Sequence, residues 1–228
     1  MSTATLAPPP LVHGQRLDDD EFMRRYEAMP DVKAELLNGV VYIMASPIKV
    51  DHGTPQGKLI GWLFNYEFAT FGVEMSGEAT TRLSGENIPQ PDAYLRILES
   101  HGGNSFINED RYIEGAPELL VEIALSSLDR DQTVKKPIYQ QAGVREFILW
   151  NVEEQIIEWS ILRGEEYAFL TPGAEGIVRS ETFPGLWLDV EAMVRLDVGS
   201  VVRALQQGIA SPEHARFIEQ LQAAAKKG

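Results

Sequence analysis

The run Leu119-Leu120-Val121-Glu122-Ile123-Ala124-Leu125 constrains the fold of this chain most. Apart from Glu122 it reads as a strand buried on both faces, the kind found inside a sheet covered by helices. A carboxylate in the middle of such a strand is costly unless a cation pairs with it or binds it. The alternative is an alternating strand that turns Glu122 to solvent.

The rest of the chain supplies a mixed sheet and its covering. Residues 17–29 read as a helix with Asp18, Asp19, Asp20 and Glu21 crowding its first turn, stopped by Pro30. Asn38-Gly39 between Ala34-Glu35-Leu36-Leu37 and Val40-Val41-Tyr42-Ile43-Met44 is a hairpin signal. After a Ser46-Pro47 turn, Leu59, Leu63, Tyr66 and Phe68 fall at roughly helical spacing between His52 and Phe71. Two strands are expected at 73–83 and 88–98 around Ser84-Gly85-Glu86-Asn87, and a helix near Asp131–Gln141 ended by Gly143. Strands follow at 146–150, 156–162 and 166–170, then helix from about Glu191, broken at Gly208 and Ser211-Pro212. The order predicts an α/β fold. Residues 1–16 read as a flexible Pro-rich tail, 17–190 as the domain, and 191–228 as a helical extension that either packs on the core or pairs copies of the chain.

Composition narrows the class. The 228 residues are 44% hydrophobic and 24% charged, ordinary values for a soluble globular protein. With no cysteine there is no disulfide framework or thiolate metal site, and a reducing cytoplasm is the expected setting. The first ten residues have neither a basic region nor an apolar stretch of signal-peptide length, and no apolar run is long enough to span a bilayer. The net charge of −14 argues against a protein that grips a polyanion over a broad basic face. It leaves room for an enzyme that engages a short or single-stranded substrate through one local patch.

The chemistry gathers between Asp92 and Lys135. Asp92 follows Pro91 in a short extended segment, where Pro-Asp alone is a common turn dipeptide. Lys135 and Lys136, taken alone, are solvated helix residues. Together, Asp92, Glu122 and a lysine are the minimum equipment of a metal-assisted phosphodiester hydrolase. Magnesium takes oxygen ligands and is commonly held by one or two carboxylates with water and phosphate. The carbonyl of Ile123 is a candidate third ligand.

Pro91-Asp92, Pro117-Glu118-Leu119-Leu120-Val121-Glu122-Ile123, Lys135, Tyr139 and Ala142-Gly143-Val144-Arg145-Glu146-Phe147 together resemble the Uma family. These are bacterial restriction-endonuclease-like proteins of the PD-(D/E)XK nuclease superfamily. Glu35-Leu36-Leu37-Asn38-Gly39-Val40-Val41, Ser46-Pro47 and His52 are similar to that family's amino-terminal signature, so the likeness covers roughly residues 17–190. It implies a restriction-endonuclease-like mixed sheet flanked by helices, with Asp92 and Glu122 as metal ligands and Glu35 as an additional acidic residue. The superfamily's usual lysine lies two residues after the glutamate, where this chain has Ala124. The family's lysine sits in the following helix, four residues before the tyrosine, which selects Lys135 over Lys136. His52 either contacts a phosphate or caps and packs its helix. Arg82, Arg96, Arg130 and Arg145 are candidates for a phosphate patch, and the four tryptophans read as core.

These readings converge on a metal-dependent endonuclease using Mg2+ or Mn2+, with DNA as substrate and a homodimer as a possible assembly. The rival is a catalytically inactive nuclease fold serving as a binding or assembly module. A third reading is a metal-dependent enzyme acting on small nucleotides.

Overall fold

Asp18 accepts a hydrogen bond from the Glu21 amide and starts the first helix, α1 (Asp19–Tyr26), in the computed structural model, which describes residues 7–44, 50–125 and 127–226. Strands β1 (Ala34–Leu37) and β2 (Val40–Ile43) form the expected hairpin, with Asn38 and Gly39 at φ 51° and 72°. Positive φ at both central residues matches the turn to the strand twist. A Cβ at Gly39 would also fall 2.5 Å from a Glu86 carboxylate oxygen. The Pro-rich start is not a free tail throughout. Leu11 is buried, and Gly14 and Gln15 exchange backbone hydrogen bonds with Val41. They cover an edge of β2 that would otherwise stand open.

The Ser46-Pro47 turn lies outside the described residues. Helix α2 (Val50–Ala69) then buries Leu59, Trp62, Leu63 and Tyr66. The two long strands expected after it are broken into β3 (Val73–Ser76), β4 (Thr81–Arg82) and β5 (Ala93–Ile97). Only β3 and β5 pair with each other. Glu78, at φ 54°, turns the chain out of the sheet, and Pro89 and Pro91 keep it out until Ala93. The excursion pairs instead with β6 (Phe106–Ile107) and β7 (Ile113–Glu114) in a small three-stranded sheet.

Strand β8 (Leu119–Ala124) is buried at all six positions, Glu122 included. The chain next forms α3 (Leu128–Arg130), five residues of π-helix (Asp131–Lys135) and α4 (Lys136–Gln141), and returns as β9 (Glu146–Asn151) parallel to β8. A parallel neighbour requires such a crossover, which lays the helix across the sheet. Strands β10 (Ile156–Arg163) and β11 (Glu166–Phe169) add antiparallel neighbours. The main sheet runs β11-β10-β9-β8-β5-β3. A ribbon of β12 (Ile177–Arg179) and β13 (Trp187–Asp189), absent from the sequence reading, leads to α5 (Val190–Val194), α6 (Val198–Ile209) and α7 (Pro212–Ala225).

The sheet separates two cores. Leu119, Val121 and Ile123 join Leu59, Trp62 and Tyr66 of α2 on one side. Met193, Val201, Leu205, Phe217 and Leu221 belong to that same cluster, so the carboxy-terminal helices pack on the body of the fold. Leu120 and Ala124 join Ile138 and Tyr139 of α4 on the other side. Trp62, Trp150 and Trp159 are core residues, and Trp187 is half-buried beneath the Arg179 guanidinium.

Buried Glu146 ties the end of β9 to β10 and the segment after β12. It accepts from Trp159 Nε1 (2.9 Å), Ser180 Oγ (2.9 Å) and the amides of Glu181 (2.9 Å) and Thr182 (2.7 Å). Stranding several of these donors should make Glu146→Ala lose about 3 kcal/mol, read as a lower urea midpoint. An unchanged midpoint would show that the staple is dispensable.

Candidate active site

Period-two alternation along β8 puts Glu122 on the face covered by α4. Asp131, Lys135 and Tyr139 recur every four residues on the crossing helix and so form one stripe facing it. Lys135 Nζ lies 3.0 Å from Glu122 Oε1, 2.8 Å from Glu35 Oε1 and 3.8 Å from Asp131 Oδ1. The Tyr139 hydroxyl donates to the same Glu122 oxygen at 2.5 Å. Glu35 is delivered by β1. Its Oε1 accepts from the Gln90 amide at 2.8 Å, and paired backbone bonds between Leu36 and Ile88 fix that approach.

Three carboxylates surround one ammonium, and all four side chains are almost wholly enclosed. Burial pulls the Lys135 pKa down, but Glu122, Glu35 and Asp131 outweigh it and hold the amine above its ordinary range. Burial drives Glu122 well up, against the attraction of Lys135 and with added repulsion from Asp131, Asp92 and Glu35. Asp131 is also raised by burial, although Lys135 and the Ser127 hydroxyl oppose it. Burial, followed by the field of Glu122, keeps the Tyr139 phenol neutral and a donor. The lysine therefore stays charged, and the excess negative charge favours a proton or a further cation among the carboxylates.

Asp92 sits just before β5, where pairing with β8 ends at Ala93 and Val121. Its Oδ2 accepts from the Ile123 amide at 2.7 Å, and Gln56 Nε2 approaches Oδ1 at 3.5 Å. His52, in the first turn of α2, brings Nε2 to 3.7 Å from Asp92 Oδ2. Asp92 chiefly, and the Ile123 backbone beside the ring, raise the imidazole pKa against its partial burial. His52 thus faces the site.

The fold brings together Glu35, His52, Asp92, Glu122, Ile123 and Lys135, all named from sequence. It adds Asp131 and gives a role to Tyr139, known from sequence only as a motif residue; the four-residue spacing of both from Lys135 was the available signal. The arginine patch does not form. Arg82 pairs with Asp19 at 3.4 Å, and buried Arg96 binds Glu74 at 2.8 Å and the Ser105 carbonyl at 3.1 Å. Arg130 borders the cluster, 3.9 Å from Asp131.

Glu35 Oε2 and Asp131 Oδ1 are buried without hydrogen-bond partners, and the hydrogen bonds of Glu122 fall on Oε1. Among the described residues, no group of three or more acidic or histidine side chains is arranged to hold a metal ion, so a cation here would rest on fewer protein ligands. Two carboxylates completed by water and phosphate are the usual environment of magnesium.

A mixed sheet flanked by helices, with acidic groups where β5 and β8 part and a lysine beside them, defines a restriction-endonuclease-like nuclease fold. The crystal structure of a putative nuclease belonging to DUF820 from Anabaena variabilis ATCC 29413 shares it, with a TM-score of 0.54 and 16% identity over 78% of this chain and 99% of that one. The model of the Uma2 family, putative restriction endonucleases, matches residues 19–191, and the chain belongs to that family. No curated protein matches. Among the described residues, no helix is long and apolar enough to cross a membrane.

Lys135→Met should cost about 3–5 kcal/mol at neutral pH, because it leaves the carboxylates without their cation. Carboxyls whose folded pKa is raised stabilise the fold below their unfolded value, and that contribution fades as pH rises through the folded value. The variant should therefore recover toward wild type as the pH falls to about 5. Urea titrations at several pH values test this; a deficit that grows on acidification contradicts it.

Proposed function

We propose that this chain is a metal-dependent endonuclease hydrolysing phosphodiester bonds of DNA, with Mg2+ or Mn2+ as its cation. The reading is carried by the placement of Lys135, 3.0 Å from Glu122 on the strand next to Asp92. Asp92 and Glu122 would hold the cation through their less engaged oxygens, with the Ile123 carbonyl at the same edge. A bound divalent ion supplies Lewis-acid polarisation of the phosphoryl oxygen and a more acidic water.

The chain's own groups do the positioning. The Ile123 amide fixes one oxygen of Asp92, and Tyr139 and Lys135 fix one oxygen of Glu122. That leaves the second oxygen of each for the cation. Lys135, kept charged by its carboxylates, would orient the attacking water and stabilise charge developing on the phosphate. Glu35 holds the ammonium in place at 2.8 Å. His52, raised toward its cationic form by Asp92, would contact a phosphate oxygen.

The near-complete enclosure of Lys135 and the net charge of −14 favour a second reading, a catalytically silent nuclease fold used for binding or assembly. Cleavage of plasmid and single-stranded DNA with magnesium or manganese separates the two, with small nucleotides assayed alongside. Asp92→Ala and Glu122→Ala should each lower the rate by about a hundredfold or more with the fold intact by circular dichroism. Wild-type rates in either variant would refute the assignment, and a wild type inert under every condition would favour the silent fold.

A further inference from the structure

A further lysine stands beside the site, outside the buried cluster. Lys33, the residue before β1, continues the hairpin ladder, its carbonyl accepting from the Met44 amide at 2.8 Å. Period-two alternation puts its side chain on the same face as Glu35, which reaches Lys135. Lys33 Nζ lies 3.2 Å from Glu78 Oε1. The same carboxylate oxygen accepts from Gln56 Nε2 at 3.2 Å, and that nitrogen also lies 3.5 Å from Asp92 Oδ1. A polar chain thus runs from Lys33 through Glu78 and buried Gln56 to Asp92, with His52 3.7 Å from the other Asp92 oxygen. The charge of Lys33 is felt at His52, where it opposes the rise caused chiefly by Asp92.

Two features set Glu78 apart. Its φ of 54° is uncommon for a residue with a side chain, and such backbone collects at functional sites. Its ion pair is also open to solvent, the Lys33 and Glu78 side chains being 33% and 42% exposed. Pairs this exposed add little stability, so the pair does not account for the strained turn. A carboxylate oxygen shared by a lysine and an amide donor stands where a phosphate oxygen would bind, since both anions take the same donors.

We infer that Lys33 is a phosphate-binding residue that takes a backbone phosphate of a nucleic-acid strand beside the scissile one, with the Glu78 carboxylate holding that position until the strand displaces it. The inference rests on the phosphodiesterase reading of the Asp92–Glu122 site. It gives a chain of net charge −14, whose Arg82 and Arg96 are already paired, a local grip on its substrate.

Fluorescence anisotropy of a labelled single-stranded DNA oligonucleotide tests this, titrated with the full chain in calcium at several salt concentrations. Lys33→Ala should weaken binding about tenfold and flatten the dependence of log Kd on log salt by about 0.7, the loss of one phosphate contact on a single strand. Lys33→Arg should restore both. Arg216→Ala, which removes an exposed charge from α7, should leave the slope unchanged. Glu78→Gln should tighten binding severalfold in the wild-type background and much less beside Lys33→Ala, because the carboxylate competes for that lysine. An unchanged slope in Lys33→Ala, an equal change in Arg216→Ala, or a Glu78→Gln gain that does not need Lys33 would each overturn the inference. So would a wild type that binds no oligonucleotide. A wild type that binds with the expected Lys33 slope yet cleaves nothing in magnesium or manganese would remove the catalytic reading and keep the phosphate site.

Discussion

The ammonium of Lys135, held between Glu35 and Glu122 with Asp131 behind it, is the interaction on which this structure depends. Each carboxylate comes from a different element: the amino-terminal hairpin, the central strand and the crossing helix. Without the shared ammonium, burying three carboxyl groups so close together would be costly. The same group that makes the core tolerable is the one proposed to assist hydrolysis. Stability and proposed chemistry converge on one nitrogen, which is why the site is both closed and charged.

The parallel pairing of β8 with β9 makes that arrangement possible. It forces a helical crossover over Glu122, and a four-residue stripe on that helix presents Asp131, Lys135 and Tyr139 together. A π-helical segment ends at Lys135, and such widened turns often mark functional positions in helices. On the opposite side, α2 and the carboxy-terminal helices bury the other face and bring His52 and Gln56 to Asp92. Asp92 therefore stands between two layers, its carboxylate tied to the β8 backbone.

Much of this was legible in the sequence, because some residues conflict with their surroundings. Glu122 violates an apolar strand and so announces a cation, and Asn38-Gly39 specifies its turn locally. Lys135 was a candidate from its place after the two carboxylates, but only the family resemblance chose it over Lys136 and marked Glu35, since neither breaks a local rule. Asp131 went unread, and Tyr139 was named in the family motif but given no role: an acid and a tyrosine on a short helix are unremarkable until the facing strand is known. The broken strands between Ser76 and Ala93 were missed because β-propensity continues through a segment that Glu78, Pro89 and Pro91 turn out of the sheet. The supposed arginine patch failed because sequence proximity says nothing of partners, and Arg82 and Arg96 already have theirs.

Lys135 and a divalent ion are proposed to share Glu122. Anomalous diffraction at the manganese edge from crystals soaked in manganese tests it most directly. One peak between Asp92 and Glu122, with Lys135 still on Glu35, is the predicted result. A peak in place of the Lys135 ammonium, or no peak near Glu122, would contradict the account.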